Sequence, residues 1–438
     1  MGVFSIIKIT IGSVIPYVFG RITYESFIST WLERLINHNI LCVKIFQALS
    51  GNTESGYFSK AVMDVFVKQT NNTSYVEEDI ERDMVSQIVD AYDLVLDDSM
   101  PGASGMVALV FFAHGKNDPN KRYVLKTKRR NIRERIRTGH AEFVAIYNMV
   151  RLISRISPKM RDSVNSLRSL ADTRDYILTQ CEFEEEINAL VCTKREFAPI
   201  MDEIAIPEVY NDDSVVLHGG YSHTDYILMA HFDGVGISEL ETTEEREQVF
   251  TALAKYAGVN IYADITYIHT DMHPGNVICM RRDGRFVVGV IDFGMNQLMD
   301  ADLRALTMGM YGSVAEKLRH PDKQVDILKR CPMIFEPRLN DDFFNALTET
   351  QYCEINNTFL DTMVGLTEGD FDENKMHSAV RNVNQVINDG SRYILAPATF
   401  KLLMAQSMIL SCAMITVPDA KIRGKLQKAA MRWATTEL

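Results

Sequence analysis

Proline and glycine are scarce in this chain, since the 438 residues include 12 prolines and 24 glycines. This scarcity excludes collagen-like and linker-dominated chains and favours helix. Positive charge is also in short supply, because 46 lysines and arginines stand against 58 aspartates and glutamates, for a net charge of −12. A chain with this balance is a poor general binder of nucleic acid, because phosphate binding needs a high density of cations.

Cysteine-pair motifs are missing as well. The seven cysteines are scattered along the chain, and none of them forms a Cys-x-x-Cys pair. This spacing argues against a zinc site and against a thioredoxin-like redox motif. An odd number of widely separated cysteines is typical of reduced thiols, and it predicts a reducing intracellular compartment.

No apolar run is long enough to predict a transmembrane helix. The stretch Val3–Phe19 is interrupted by Lys8 and Pro16 and is short for a bilayer-spanning segment. It has neither the basic start of a signal peptide nor the arginines of a transit peptide. We expect a helix that docks on the protein, with contact to a membrane surface as the second interpretation. A later apolar stretch, Phe400–Val417, is predicted to be a buried helix.

The overall composition is that of a soluble globular protein, with 46% hydrophobic and 24% charged residues. The length suits two or three lobes. Helical spacing dominates residues 1–98, including a helix expected over residues 77–97, and strands alternate with helices over residues 99–235. Helix is expected throughout after residue 300, and Thr242 with Glu245 forms a capping box within the last part, residues 236–438. This pattern predicts an α+β fold.

The densest chemical signal lies at residues 269–294. Residues 269–276 read His-Thr-Asp-Met-His-Pro-Gly-Asn, and two predicted strands then lead to Asp292-Phe293-Gly294. In protein kinases a catalytic Asp stands five residues before an Asn, and a hairpin then leads to Asp-Phe-Gly. Asp271 and Asn276 have this spacing. Each piece alone is common by chance, and His269 alone would be a structural loop histidine, but the ordered set predicts a kinase-like site.

These residue types suit a triphosphate that is bound together with magnesium. Asn276 and Asp292 are candidate Mg2+ ligands from opposite sides of the hairpin, because Mg2+ prefers hard oxygen donors. Asp271 is the candidate catalytic residue that orients an attacking hydroxyl or water or accepts its proton. Catalysis would then consist of positioning and charge neutralisation.

Features upstream complete the predicted nucleotide site. Lys126 ends a predicted strand and is the candidate catalytic lysine for the α- and β-phosphates, with Glu186 as its partner. The loop Ala103-Ser104-Gly105 stands where kinases carry a glycine-rich flap, and its small residues let the backbone approach phosphates. Taken separately, Lys126 would be an exposed strand lysine, the loop a tight turn, and Glu186 part of a solvated acidic helix face.

The run His-Pro-Gly-Asn at residues 273–276 is not typical of ordinary protein kinases and resembles the UbiB/ADCK family of atypical, protein-kinase-like proteins. The resemblance covers roughly residues 30–420. Its further segments are Lys44–Gln47 (the K-x-G-Q signature), Pro101–Met106 (the alanine-rich loop), Val124–Lys126, Phe183–Glu186, Ile206–Tyr210, Met229–Gly234 and Leu395–Pro397. It implies a regulatory role for Lys44 and Gln47 in an N-terminal extension and places Met229 at the approach to the nucleotide hinge.

The resemblance implies a two-lobed protein-kinase-like fold with an N-terminal helical extension. Residues 1–98 would form the extension, residues 99–235 the N-lobe and residues 236–438 the helical C-lobe. Members of the family bind adenine nucleotide (ATP or ADP) with Mg2+, and their extension blocks protein substrates. They are linked to ubiquinone and other isoprenoid-lipid metabolism at membranes. An atypical kinase or ATPase with an anionic lipid or isoprenoid-lipid partner, and with no nucleic-acid partner, is the leading hypothesis.

Two other hypotheses stay open at this stage. Phe46 replaces the glycine of the signature, and the alanine-rich loop has become Ala-Ser-Gly-Met. These departures motivate a nucleotide-binding pseudokinase scaffold without turnover. A genuine protein kinase ranks last, because no Ala-Pro-Glu segment follows Asp292.

Residues 121–137 are unusually basic for an acidic chain. The cations that stand out are Lys128, Arg129, Arg130, Arg133, Arg135 and Arg137. One interpretation is a patch for anionic lipid head groups. A solvated helix face that follows the strand is the slightly favoured alternative.

Overall fold

The computed structural model describes residues 2–42, 73–154, 180–368, 394–396 and 419–437, together with Leu178 and single positions between 398 and 417. Lys44 and Gln47 therefore lie outside the described residues. Within the described ranges the helices are α1 (Gly2–Val18), α2 (Tyr24–His38), α3 (Arg82–Ala91), α4 (Ile132–Ser154), α5 (Phe183–Glu196), α6 (Thr243–Tyr262), α7 (Ala301–Arg319), α8 (Ile327–Arg330), α9 (Asp341–Ala346), α10 (Glu349–Glu368) and α11 (Ala420–Glu437).

The strands in the same ranges are mostly short. They are β1 (Leu94–Leu96), β2 (Ala103–Ser104), β3 (Ala108–Gly115), β4 (Arg122–Lys128), β5 (Ile204–Ala205), β6 (Tyr226–Ala230), β7 (Val235–Gly236), β8 (Tyr267–His269), β9 (Val277–Arg282), β10 (Arg285–Val290), β11 (Asn296–Leu298), β12 (Phe335–Glu336) and β13 (Ile394–Leu395).

The chain divides into two compact units. The first holds residues 1–185 and 209–231, and the second holds residues 186–208 and 232–438. Each unit has a sheet of its own. The three-part division at residues 98 and 235 stays a prediction, because this partition does not test a separate N-terminal extension.

The sheet of the first unit has the strand order β1-β3-β4-β6, and β2 pairs with β3. β4 pairs antiparallel with β3 on one side and with β6 on the other. Alternate side chains of these strands form a buried core with helix α3; they include Leu109, Phe111, Leu125, Tyr226, Leu228, Met84 and Ile88. Because side chains alternate across a strand, Lys126 points to the face opposite the one that carries Leu125.

The prediction of one helix over residues 77–97 is wrong at both ends. The α-helix is confined to Arg82–Ala91 and follows a 3-10 turn at Glu77–Asp79. Asp93 has a φ of 50°, a left-handed conformation that cannot continue a right-handed helix. Leu94–Leu96 then pair with β3. Pairing with the sheet therefore outweighs the local helical pattern, as tertiary context commonly does.

The sheet of the second unit has the strand order β5-β10-β9-β7. β9 and β10 form the predicted hairpin, with Val277 opposite Val290. Asp283 and Gly284 form its turn with φ values of 48° and 78°. Two successive positive φ values are the requirement of the tight hairpin turn that an Asp-Gly pair favours. This turn fixes the register of the two strands that lead into the motif residues.

Helix α6 starts at the predicted capping box. The Thr242 hydroxyl oxygen accepts the Glu245 backbone N–H at 3.2 Å, and the Glu245 carboxylate accepts the Thr242 backbone N–H at 3.0 Å. Two helix-end amides are thereby satisfied. The apolar positions that follow, Val249, Leu253 and Tyr256, are buried, as their helical spacing predicts.

Helix dominates the described residues after residue 300, with a strand pair as an exception. Phe335 of β12 stands opposite Leu395 of β13, so the expectation of helix throughout is wrong there. In the predicted buried helix over residues 400–417, the described positions include Leu402, Leu403, Ala405, Ile409 and Cys412, which are helical and buried.

Helix α1 docks on helix α2, as the sequence predicts. Trp31 Nε1 donates to Thr10 Oγ1 at 3.2 Å, and Arg34 Nη1 donates to Ser13 Oγ at 3.3 Å. Apolar side chains in the second half of α1 and just after its end nevertheless stay exposed; they are Ile11, Ile15, Val18 and Phe19. Among the described residues, no helix has both the length and the apolar content that crossing a bilayer requires.

Candidate functional site

Asp271 and Asn276 lie on one loop that leaves strand β8. β8 pairs with β11, with His269 opposite Asn296, and Thr270 N–H donates to the Met295 carbonyl at 3.0 Å. Asn276 ends the 3-10 turn Pro274–Asn276, and its Nδ2 donates to the Asp271 carbonyl at 2.9 Å. The loop therefore closes on itself across the five-residue spacing that the sequence highlights.

Asp292 is brought to the same end of the hairpin as Asn276. Asn276 directly precedes β9, and the Ile291 N–H donates to the Asn276 carbonyl at 3.1 Å. One Asp292 carboxylate oxygen accepts the Gly294 N–H at 2.9 Å, which fixes the orientation of the carboxylate. The hairpin thus joins the two predicted metal ligands through backbone contacts.

His269 links the two halves of this constellation. Its Nδ1 accepts the Asp271 N–H at 3.1 Å, and its Nε2 lies 2.5 Å from the Asp292 carbonyl. Because Nδ1 is an acceptor, Nε2 carries the proton and donates it to that carbonyl. The imidazole is buried and meets the Phe293 ring edge-on at 5.1 Å.

The protonation state of His269 agrees with these contacts. Burial lowers the pKa of the His269 imidazole, although the neighbouring Asp271 and Asp292 carboxylates act in the opposite direction. The ring is therefore neutral near pH 7, and its two hydrogen bonds connect the Asp271 backbone to the Asp292 backbone. The motif signalled the presence of this histidine, but its bridging role could be seen only once both backbones were in place.

A buried thiol supports the same loop. Cys412 Sγ donates to the Met272 carbonyl at 3.0 Å. Burial raises the pKa of the Cys412 thiol to about 12, so the group is protonated and can donate. The sequence gives no signal for this contact, since the two residues lie 140 positions apart.

The donor set at the hairpin end fits a magnesium ion that also binds phosphate. The Asn276 amide nitrogen is engaged with the Asp271 carbonyl, so the amide oxygen is the atom that would bind a cation. Asp292 adds a carboxylate held in one orientation. Among the described residues no group of three or more His, Cys, Asp or Glu side chains could hold a metal. Mg2+ is commonly held by one or two protein groups plus substrate phosphates, and this set matches that pattern.

Lys126 lies in the middle of the first sheet. It stands opposite Val110 of β3 and Ile227 of β6. Only 8% of the residue is exposed, so it is not the exposed strand lysine that it would be if taken alone. Its Nζ lies 5.7 Å from the centre of the buried Phe183 ring. Met229 is buried in β6, opposite Val124 of β4.

Glu186 is the buried member of its acidic run. Glu182, Glu184 and Glu185 are exposed, whereas Glu186 is 2% exposed. Glu186 therefore does not lie on a solvated helix face. A carboxylate is rarely buried without a partner. Lys126 belongs to the first unit and Glu186 to the second, and their pairing stays a prediction.

The loop Ala103-Ser104-Gly105 is a tight connection and part of the sheet. Ala103 stands opposite Val110 in β3, and the Gly105 N–H donates to the Ala108 carbonyl at 2.9 Å. Met106 and Val107, at the tip of the turn, are buried. A role of these residues in nucleotide binding stays a prediction, but the loop is a fixed turn in this chain.

The basic stretch contains a residue that sequence reasoning misjudged. Arg129 has a fully buried side chain that contacts Asp79 at 2.6 Å, so it is neither a lipid-binding cation nor part of a solvated face. Several neighbouring cations are also paired with carboxylates of the first unit; the pairs are Arg122–Asp97, Lys128–Asp225, Arg130–Glu81, Arg133–Glu182 and Arg135–Asp79. Pairing on this scale weakens the case for a lipid patch in this stretch.

The solved structures that match this chain do so only distantly. A complex of Rv3197 with erythromycin from Mycobacterium tuberculosis has a TM-score of 0.41 at 16% identity, over 85% of this chain and 87% of that one. A Rio2 kinase–ADP/Mg2+–phosphoaspartate complex from Chaetomium thermophilum has a TM-score of 0.31 at 12% identity, over 85% and 99%.

Proteins with a similar sequence identify the family more specifically than the solved structures do. A "Probable protein kinase UbiB" of Shewanella denitrificans is 28% identical over 243 residues, 54% of this chain and 41% of that protein. Its counterpart in Pseudomonas aeruginosa is 26% identical over 188 residues, 42% and 32% of the two chains. The matches thus span less than half of these relatives. The model of the ABC1 atypical kinase-like domain matches residues 67–320. The chain therefore has a two-lobed, α+β kinase-like fold and belongs to the ABC1 family of atypical kinase-like proteins, the UbiB/ADCK family that its motifs resemble.

Proposed function

We propose that this chain binds an adenine nucleotide, ATP or ADP, with Mg2+, and that with ATP it transfers or releases the terminal phosphoryl group as an atypical kinase or ATPase. The observation that carries the proposal is the bonded network at residues 269–294, in which His269 and the hairpin hold Asp271, Asn276 and Asp292 together. Membership of an atypical kinase-like family supports the same chemistry.

Each residue has a role that follows from its chemistry. Asn276 and Asp292 would hold Mg2+, which when bound neutralises phosphate charge. Asp271 would orient an attacking hydroxyl or water and accept its proton. Lys126, with Glu186 as its proposed partner, would bind the α- and β-phosphates. His269 stays neutral and preserves the geometry.

The experiment compares matched Asp→Asn variants in the turn of the β9–β10 hairpin and on either side of the hairpin. Asp292→Asn should abolish most magnesium-dependent ATP binding. Asp271→Asn should still bind ATP, but its rate of phosphate release should fall by at least about a hundredfold, as expected for the loss of a general base. Asp283→Asn is the control, because it lies in the hairpin turn at a φ of 48°, which Asn tolerates. Binding is measured by calorimetry and turnover by phosphate release.

The outcomes separate the proposal from its alternatives. ATP binding equal in the wild type and Asp292→Asn would contradict the metal role. Binding without phosphate release above that of Asp271→Asn would identify a nucleotide-binding scaffold. Transfer to a peptide library would identify a protein kinase.

We further propose that the protein works at a membrane surface and supports isoprenoid-quinone or other lipid metabolism, as its family resemblance implies. Exposed Ile11, Ile15, Val18 and Phe19 support this proposal, since an apolar helix face flanked by cations suits an anionic interface. Lys8 and Arg21 are the flanking cations.

Vesicle co-sedimentation tests the membrane proposal. Ile15→Glu should reduce sedimentation with anionic vesicles, because it places a negative charge on the exposed apolar side of α1. Val216→Glu is the matched control, since Val216 is likewise exposed but lies far along the chain. Equal sedimentation of both variants and the wild type would contradict the proposal, and phosphate release with and without vesicles shows whether lipid affects turnover.

A further inference from the structure

A buried arginine lies beneath the predicted phosphate loop. Arg129 directly follows strand β4, and its side chain has no exposed surface. Its Nε donates to the Gly105 carbonyl at 3.0 Å, and its Nη1 donates to the Asp79 carboxylate at 2.6 Å. Nη1 and Nη2 also reach the carbonyls of Ser74 and Thr73, each at 3.1 Å. Every guanidinium nitrogen therefore has an oxygen acceptor, which is what a buried charge requires.

The same loop is attached at further points. The Thr73 N–H donates to the Ser104 carbonyl at 3.0 Å, and the Ser104 hydroxyl donates to the Thr73 carbonyl. The Arg129 N–H donates to the Val107 carbonyl at 2.9 Å. The turn between β2 and β3 is thus held from the 73–79 segment on one side and from the end of β4 on the other. All of these residues belong to the first unit.

The chemistry of the contacts explains why arginine is needed. A planar guanidinium carries five N–H donors on three nitrogens in a rigid fork, so one side chain reaches Gly105, Asp79 and the 73–74 backbone together. A lysine ammonium could keep the ion pair with Asp79, but it is a single point charge without the Nε donor. The charge and the bridge to Gly105 can therefore be separated by one substitution.

We propose that Arg129 is a positioning residue for nucleotide phosphates: it holds the backbone of the Ala103–Gly105 loop in the conformation that meets them. The inference rests on the proposed function and on the sequence-based prediction that this loop contacts phosphate. A loop that is fixed before binding loses less conformational entropy when the nucleotide arrives. The benefit applies to the phosphates and not to the nucleoside.

The test measures the affinity of the full-length chain for magnesium·ATP and for adenosine, which has no phosphate. Arg129→Lys should weaken ATP binding about tenfold, the equivalent of losing a charge-assisted hydrogen bond network, and adenosine binding by less than about twofold. Arg130→Lys is the control, because Arg130 is the next residue and forms an exposed pair with Glu81. It should leave both affinities within about twofold of the wild type.

A second variant covers the case in which Arg129→Lys does not fold, as judged by its melting transition. Asp79→Asn keeps the shape of the side chain but weakens its hold on Arg129, and it should weaken ATP binding about threefold with adenosine unchanged. Unchanged ATP affinity in the folded variants, or equal losses for ATP and adenosine, would overturn the positioning role. A wild-type chain that does not bind magnesium·ATP would instead overturn the proposed function.

Discussion

The loop around Asp271 and the loop around Gly105 are held in place by different kinds of contact. The Asp271 loop relies on backbone amides, carbonyls and the neutral imidazole of His269, whose contacts span at most 23 residues, and one long-range contact comes from the Cys412 thiol, 140 positions away. The Gly105 loop relies on the buried charge of Arg129, whose acceptors lie 24 to 56 residues away. A neutral, local network follows from a motif, whereas a charged, long-range one depends on the fold.

The largest expected effect on the free energy of unfolding comes from the charged contacts that hold the Gly105 loop. Asp79→Ala should lower the free energy of unfolding by about 3–5 kcal/mol, because it leaves a buried arginine without its carboxylate. Asp79 also accepts a bond from Arg135 at 2.5 Å. Urea unfolding followed by circular dichroism measures the loss. A loss below about 1 kcal/mol would show that Arg129 is not held mainly by charge.

Substitutions in the Asp271 loop, which is held by uncharged groups, should lower the free energy of unfolding by less. His269→Ala should lower the free energy of unfolding by about 2–4 kcal/mol, because it opens a cavity and removes the hydrogen-bond partner of the Asp271 N–H and of the Asp292 carbonyl. His273→Ala is the matched control, since the His273 ring is less buried and accepts the Gly275 N–H at 3.1 Å, a contact within its own turn. Its cost should stay below about 1 kcal/mol. Equal costs in urea unfolding would remove the special role of His269.

Each of the two loops contains a glycine, and the room for a side chain differs between them. A Cβ at Gly275 would lie 2.9 Å from the His273 ring, whereas a Cβ at Gly105 would meet its nearest neighbour, the Ala108 carbonyl, at 3.9 Å. Gly275→Ala should therefore cost about 1–2 kcal/mol through displacement of the ring. Gly105→Ala should change the free energy of unfolding by no more than about 0.5 kcal/mol. The reverse order in urea unfolding would contradict this reading of the two turns.

A small effect is also expected at Asp97, the exposed counterpart of Asp79. Asp97 accepts from His114 at 2.8 Å and from Arg122 at 2.5 Å, but its side chain is 31% exposed. The His114 hydrogen bond, followed by the Arg122 charge, lowers the pKa of the Asp97 carboxyl despite some burial. Asp97→Asn should cost less than about 1 kcal/mol near pH 7.

The pH dependence of that cost follows from the direction of the shift. A carboxyl with a lowered folded-state pKa stabilises the fold above its ordinary pKa and loses that contribution as pH falls through the folded value. The difference in unfolding free energy between wild type and Asp97→Asn should therefore shrink as the pH falls below about 4. A difference that grows on acidification would contradict the assignment.

Several elements could be predicted because the chain itself brings the residues together. An Asp-Gly turn closes the β9–β10 hairpin, so Asn276 and Asp292, which flank it, must meet at one end. The capping box at Thr242 is likewise a matter of neighbours along the chain. Other elements could not be predicted, such as the break at Asp93, where sheet pairing replaces the last turns of a helix.

The sequence by itself determined the kinase-like spacing of Asp271, Asn276 and Asp292, because short hairpins and tight turns leave the chain few ways to connect them. Only the tertiary structure decided which of the four glutamates in residues 182–186 is buried and which arginine of the basic stretch is removed from water. A charged side chain has the same formula in solvent and in the core. Its environment is set by acceptors that arrive from distant parts of the chain, and no local pattern records them.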